Sequence, residues 1–326
     1  MCDRYENGLH AVATELALPF VQSVIGDVTD AGRVRAIFDR AEPDLVFHAA
    51  AHKHVPLMEA CPSEAVKNNV TGTRVMAEMA ARAGTARFVL VSTDKAVRPS
   101  SVMGATKRVA ELIVQACAAR QASPASHASL AGLRSDGARS AFITVRFGNV
   151  LGSNGSVVPA FLGQMRAGGP ITVTHPDVRR YFMLIPEAVQ LMLHAASLSG
   201  TPAHHGTTCV LNLGEPIKIH DLARHLIQLT GLTPDVDIPI VFTGLRPGEK
   251  LSEELVSDDE EVHQSSMPEI RVVADRHPPD PSTLDAAITH LESHAARSDD
   301  AAVVSALCDL VPGFTPGGIW EPVPTN

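Results

Sequence analysis

Only five cysteines occur in the 326 residues, Cys2, Cys61, Cys117, Cys209 and Cys308, and no two of them form a C-x-x-C pair. That scatter offers neither a disulfide framework nor a zinc site, and it fits a reducing cytoplasm. Positive charge is also short: 27 Lys and Arg against 36 Asp and Glu leave a net charge of −9. A broad basic face for nucleic acid is therefore excluded, although a local basic pocket for an anionic ligand is not. No apolar run approaches the roughly 18 residues of a membrane span, Met1 begins no signal peptide, and there is no internal repeat. What remains is an ordinary globular composition, 45% hydrophobic, on a chain long enough for two lobes.

Apolar periodicity then organises the first half. Residues 4–18 read as an amphipathic helix, 20–25 as a strand ending at Gly26-Asp27-Val28, 31–40 as a helix and 45–50 as a strand. Pro62 suits the first turn of a helix that ends at Gly84. Strand 88–91, helix 103–120 and strand 142–147 follow. Strands alternating with helices of this length predict βαβ units, hence a doubly wound parallel α/β sheet with right-handed crossovers. Residues 121–140 thin to Ala, Ser and Gly and read as a mobile, dispensable loop.

From Gly148 onward Gly and Pro become dense, the texture of a smaller lobe that covers a ligand with loops. Strands are expected at 171–174 and 239–243, a helix at 219–231, and two peripheral helices after residue 263. The expected division is 1–150, a smaller lobe over 151–262 interleaved with the sheet, and a tail over 263–326.

The strand Phe88-Val89-Leu90-Val91 stops at Ser92-Thr93-Asp94-Lys95. Ligands of open α/β sheets sit beyond the carboxyl ends of strands, so a hydroxyl, a carboxylate and an ammonium there are placed for chemistry. Asp94 or Ser92 would equally serve to start a turn. Met103 and Lys107, four apart, share a helix face; Lys107 joins the group if that face looks at the strand end, and is a surface lysine if it does not. His48, His52 and His54 read as pocket lining or loop packing, and no metal is expected.

Five segments then coincide: HAAAHKHVPLMEACPSEAVKNNVTGT, VLVSTDKAVRPSSVMGATKRVAEL, VRFGNVLGSNGSVVPAF, GGPITVTHPDVRRYFMLIPEA and GLRPGEKLSEEL. In order and spacing they resemble the nucleotide-sugar 4,6-dehydratases of polysaccharide biosynthesis, within the extended short-chain dehydrogenases. The resemblance runs from Asp3 to about Val256. It implies a Rossmann-type dinucleotide-binding domain with NAD as cofactor rather than its phosphorylated form, and a UDP-sugar substrate. UDP-N-acetylglucosamine would be converted to the 4-keto-6-deoxy sugar. An epimerase of the same superfamily, or an inactive remnant that only binds nucleotide sugar or a partner, is the alternative. A homo-oligomer is compatible with it.

The resemblance also assigns residues. Thr93 would hydrogen-bond the C4 oxygen, Asp94 would be the acid toward the leaving hydroxyl, and Lys95 the base. Lys107 would hold the nicotinamide ribose. Met103 takes the place of the catalytic tyrosine; a thioether carries no exchangeable proton, and within this branch methionine is a known alternative. Asp3, Asp27, Val28, Ala49, Ala50 and Ala51 would bind the cofactor's adenosine half, and Asn69 would be either a strut bracing the central strand or a direct contact. His54, Asn149, Ser156, Val157, Pro159 and Thr172 would line the substrate, and Arg180, Arg246 and Glu249 would contact its diphosphate and ribose. A surface ion pair is the bland alternative for Arg180.

The family's phosphate-cradling glycine turn is missing, because it belongs ahead of Asp3. The sheet is therefore expected to lack its first two strands, with a gap between the strands at 20–25 and 45–50, and cofactor affinity is expected to fall. The chain reads as a piece of a longer protein, one that in this family carries membrane helices upstream.

Overall fold

The computed structural model describes residues 1–122, 140–153, 155–198 and 206–317. In chain order the strands are β1 Cys2–Asp3, β2 Val24–Ile25, β3 Leu45–His48, β4 Arg87–Thr93, β5 Ala141–Phe147, β6 Asn149–Val150, β7 Ile171–Val173, β8 Arg179–Arg180, β9 Phe182–Met183, β10 Thr208–Leu211, β11 Ile217–Lys218, β12 Ile240–Phe242, β13 Glu260–Gln264 and β14 Ile270–Asp275. The helices are α1 Glu6–Leu16, α2 Ala31–Ala41, α3 Val55–Ala60, α4 Pro62–Ala65, α5 Gly72–Arg82, α6 Val102–Ala122, α7 Val157–Arg166, α8 Ile185–Leu198, α9 Ile219–Leu229, α10 Pro281–Ala296 and α11 Asp300–Leu310. A stretch of π-helix, Val66–Thr71, joins α4 to α5.

The main sheet has six strands in the order β13-β14-β10-β5-β4-β3. Strands β3, β4, β5 and β10 are parallel, and β14 and β13 are added antiparallel. The apolar run of β4 is unbroken because helices cover both faces. Phe88 and Leu90 point into a core shared with α6, α10 and α11. Val89 points into the opposite core, against Leu191, Ala195 and Leu198 of α8. A third, smaller core joins α7, β7 and α9 through Phe161, Ile171 and Ile227.

Several expectations are corrected. Residues 20–25 form only the two-residue β2, because Phe20 lies in a turn and is 76% exposed. As expected, the strands at 20–25 and 45–50 do not lie in one sheet. Cys2–Asp3 is itself a strand paired parallel with β2, and these two form a separate sheet while β3 borders the main one. The tail after residue 263 is not peripheral. It supplies β14, while Leu284, Ile288, Leu291, Val303 and Leu307 of its helices fill the main core, and Asp300 accepts from the Ser63 backbone N–H at 2.9 Å. Of the loop expected at 121–140, Gln121 and Ala122 end α6, and 123–139 lie outside the described residues.

A buried ionic cluster ties the antiparallel edge to the centre. Arg146 on β5 donates to Glu111 of α6 at 2.9 and 2.7 Å and to Glu260 of β13 at 2.9 and 2.6 Å. Arg108 donates to Glu111 and to Asp275 of β14, and the Ser92 hydroxyl donates to Glu111. Burial alone would raise the Glu111 carboxyl, but the adjoining Arg146 guanidinium outweighs it and brings the pKa down to about 2. His48 is buried against Thr73 and, through burial and then the nearby Lys107 charge, is lowered to about 3. Both depressed values leave the unfolded chain binding more protons in acid. Stability is expected to fall from about pH 6.5, where an unfolded histidine takes its proton, and more steeply between 4.5 and 2 as Glu111 is neutralised. Urea unfolding across this range checks it, and a midpoint flat from pH 7 to 4 would contradict the burial of His48.

Candidate active site

The carboxyl ends of β4 and β5 open into a cavity of about 500 Å³. Strand β4 ends at Thr93, whose hydroxyl oxygen accepts the Lys95 backbone N–H at 3.3 Å and starts a single 3-10 turn, Asp94–Ala96. The turn reverses the chain and leaves Lys95 facing the cavity. One Asp94 oxygen, Oδ1, accepts from the Thr93 hydroxyl and from Lys95 Nζ, both at 2.9 Å. Lys95 Nζ also donates to Asn149 Oδ1 at 3.1 Å and stands 4.0 Å from Glu253 Oε1.

Helix α6 fixes this turn from behind. Gly104 packs so closely that an added Cβ would lie 2.2 Å from the Lys95 carbonyl oxygen. Gly104→Ala is expected to cost about 1–3 kcal/mol in overpacking strain and to displace the turn that carries Lys95. An unchanged melting temperature would show that the turn yields freely.

One turn further along α6, Met103 and Lys107 both face the cavity, as their four-residue spacing predicts. Lys107 donates to the Val91 carbonyl at 2.6 Å, and burial lowers its pKa to about 8. The surface-lysine alternative is thereby removed. Asn69, in the π-helical stretch, accepts the His52 N–H, donates to the His52 carbonyl, and donates to Thr106 of α6. It is a strut, bracing the loop after β3 rather than β4 itself.

The second lobe closes the cavity. Asn149, Ser156 and Val157 line it, and the buried Ser156 hydroxyl has no hydrogen-bond partner among the described residues. Arg180 is 6% exposed, so it is no surface ion pair. Its guanidinium donates to Glu249 at 3.2 Å, and Glu249 also accepts from the Thr174 hydroxyl and the Arg246 backbone N–H. Arg180, Glu249 and Arg246 line the cavity, and so does His54, which packs so closely on Gly155 that an added Cβ would lie 2.7 Å from its ring.

Asp94 is fully buried beside Thr93 and Lys95, its Oδ1 holding both while its Oδ2 has no hydrogen-bond partner among the described residues. Other expected site residues lie elsewhere. Thr172 lies off the cavity because its hydroxyl and N–H are both held by Gln164, and Pro159 is exposed on the first turns of α7. Ala49 and Ala51 line the cavity, whereas Ala50 does not. Asp3, Asp27 and Val28 sit outside it, at the ends of β1 and β2. Arg4 links this end to the rim, pairing with Asp27 at 3.5 Å and with His52 at 3.0 Å.

Sequence reasoning missed Glu253, a buried carboxyl on the cavity wall, as well as Phe147 and Phe182. Glu253 lay inside GLRPGEKLSEEL, but only the fold brings that segment beside Lys95.

Residues 1–275 match the polysaccharide biosynthesis protein family. The chain belongs to that family. It is 46% identical over 268 residues to the capsular polysaccharide biosynthesis protein CapD of Staphylococcus aureus, covering 80% of this chain and 41% of that protein. The family member thus spans about two fifths of the length of such relatives. Among solved structures, Pen from Bacillus thuringiensis superposes with a TM-score of 0.71 at 29% identity, over 84% of this chain and 79% of that one. The dTDP-glucose 4,6-dehydratase DesIV of Streptomyces venezuelae, solved with NAD bound, gives 0.59 at 21% identity over 76% and 74% of the two chains. At that identity it speaks for the fold alone.

Proposed function

We propose that this member of the polysaccharide biosynthesis family is a nucleotide-sugar 4,6-dehydratase that acts on UDP-N-acetylglucosamine and yields the 4-keto-6-deoxy sugar. The observation that carries this reading is the Thr93-Asp94-Lys95 cluster at a cavity whose neighbouring helix presents Met103 and Lys107. The match to the polysaccharide biosynthesis family supports it.

The residues present fit a nicotinamide cofactor. Lys107 offers a cavity-facing ammonium with spare donors for ribose hydroxyls, and Ala49 and Ala51 leave a flat wall for the adenosine half. Arg4 is engaged by Asp27 and His52, which favours NAD over its phosphorylated form. Bound NAD would supply reversible hydride transfer. The chain's own residues do the rest. Thr93 holds the C4 oxygen. Lys95, as the amine, takes the C5 proton, and Asp94, 2.9 Å from it, gives the proton with which the C6 hydroxyl leaves as water. Arg180 and Arg246 grip the diphosphate, for which a planar guanidinium fork is suited, and Ser156 and Asn149 face the sugar. The division of labour follows the chain, with residues 1–150 holding the cofactor and 151–262 the UDP-sugar.

Incubating the protein with UDP-N-acetylglucosamine and NAD+ should give a keto sugar lighter by one water. An epimerase would return a product of unchanged mass. Binding of UDP-N-acetylglucosamine with no product would leave the non-catalytic remnant, and the dehydratase reading would fall.

A further inference from the structure

One buried carboxyl takes no part in the proton transfers, yet it stands where three cavity-lining segments meet: α3, the start of α6 and the loop that carries Arg246 and Glu249. Glu59, on α3, is 1% exposed and does not itself line the cavity. Its Oε1 accepts the backbone N–H of Val102, the first residue of α6, at 2.6 Å. The first N–H groups of a helix have no partner within it, and the positive end of the helix dipole favours a carboxylate there. Ser101 meets a second of them, its hydroxyl oxygen accepting the Gly104 N–H at 3.1 Å. The start of α6 is thus held by one local cap and one that comes from α3.

The same oxygen forms part of the floor under the Arg246 loop. A Cβ added to Gly248, whose φ is +75°, would lie 3.0 Å from Glu59 Oε1 and 2.8 Å from the Ser101 Cβ. Only a glycine rests there without displacing something. The seat is closed on either side, because the Ser100 hydroxyl donates to the Gly248 carbonyl and Lys250 Nζ donates to the Val97 carbonyl, both at 3.0 Å. Arg246 and Glu249, which flank Gly248, line the cavity.

We propose that Glu59 is a positioning residue for the UDP-sugar: by fixing the start of α6 it sets the platform on which the Arg246–Glu249 loop rests, and so aims the groups that grip the diphosphate. The inference rests on the UDP-sugar reading above.

The action of Glu59 is indirect, and it falls on substrate grip before chemistry. Lys107, further along α6, is held separately by the Val91 carbonyl, whereas the Arg246 loop has its seat at the very residues that Glu59 fixes. Burial raises the pKa of Glu59 and the Val102 N–H opposes that rise. What the platform requires is an acceptor oxygen at this place. A glutamine amide supplies one.

The test is calorimetry with UDP on the full chain, read beside the melting temperature. Glu59→Ala should melt lower and bind UDP about tenfold or more weakly, the scale of a buried group deprived of its hydrogen-bond partner. Glu59→Gln should bind UDP nearly as the wild type does. A cap with no part in positioning would lower the melting temperature and leave the affinity of the folded protein unchanged; that result, or equal losses in the two variants, would overturn the proposal. Gly248→Ala lifts the same loop from above, so the double variant with Glu59→Ala should bind no more weakly than the poorer single one. Losses that simply multiply, as for independent sites, would also overturn it. Should Glu59→Ala not fold, Glu59→Asp withdraws the oxygen by one methylene and keeps the charge; weakened UDP binding supports the proposal and wild-type affinity opposes it. A wild type that does not bind UDP would sink the UDP-sugar reading itself. A wild type that binds UDP and is matched by Glu59→Ala would sink only the role of Glu59.

Discussion

Asp94→Asn is expected to fold and to bind UDP as the wild type does, while turnover falls by about 10²–10⁴-fold, the usual contribution of a proton-transfer group. The amide keeps the shape of the carboxylate, so the Thr93 hydroxyl retains an acceptor. What is lost is the negative charge 2.9 Å from Lys95 Nζ. Lys95 would then have only neutral amide oxygens, that of Asn149 among them, at hydrogen-bond distance, and Glu253 would be the carboxyl nearest to it. Calorimetry with UDP and a turnover assay separate binding from chemistry. Full turnover in the variant would remove Asp94 from the mechanism.

Arg146→Met should have the largest effect on stability. The substitution removes an entirely buried guanidinium from between its two partners, and leaves Glu111 and Glu260 facing each other's charge in the core. Breaking a buried ionic group in this way costs about 3–5 kcal/mol, a large share of the roughly 5–15 kcal/mol that a folded protein has in total. Arg108 remains beside Glu111 and limits the damage. Urea unfolding measures the loss. A change below about 1 kcal/mol, as for exposed pairs, would mean that water reaches the cluster.

The parts of the fold legible in the sequence are those where local pattern and tertiary burial agree. The run at 88–91 is apolar on both faces and becomes β4; the stripe along α6 is regular and becomes the helix that supports the site. Where burial depends on distant residues, the pattern misleads. Glu260–Gln264 is polar but for Val262, yet it is a strand, because pairing with β14 and the reach of Arg146 hold it in place. Residues 20–25 look like a strand, but only Val24 and Ile25 find a partner. Helix α3 was hidden because it is short and opens on Pro56.

The site divides the same way. Thr93, Lys95, Met103 and Lys107 are close in sequence, so one turn and one helix suffice to bring them together. The depth of Asp94 and the burial of Glu253 are set by packing between segments about 150 residues apart, which no local reading contains.

The antiparallel hairpin of β13 and β14 lies at the outer border of the sheet, where strands ordinarily fray. Here its inner charges are locked to the same arginine that β5 carries beneath the cavity, and through Glu111 to Ser92, the residue next to Thr93. The border therefore opens only when the centre does. Its amides should be among the slow exchangers, and a wound at this far rim would register as a loosened strand end under the sugar.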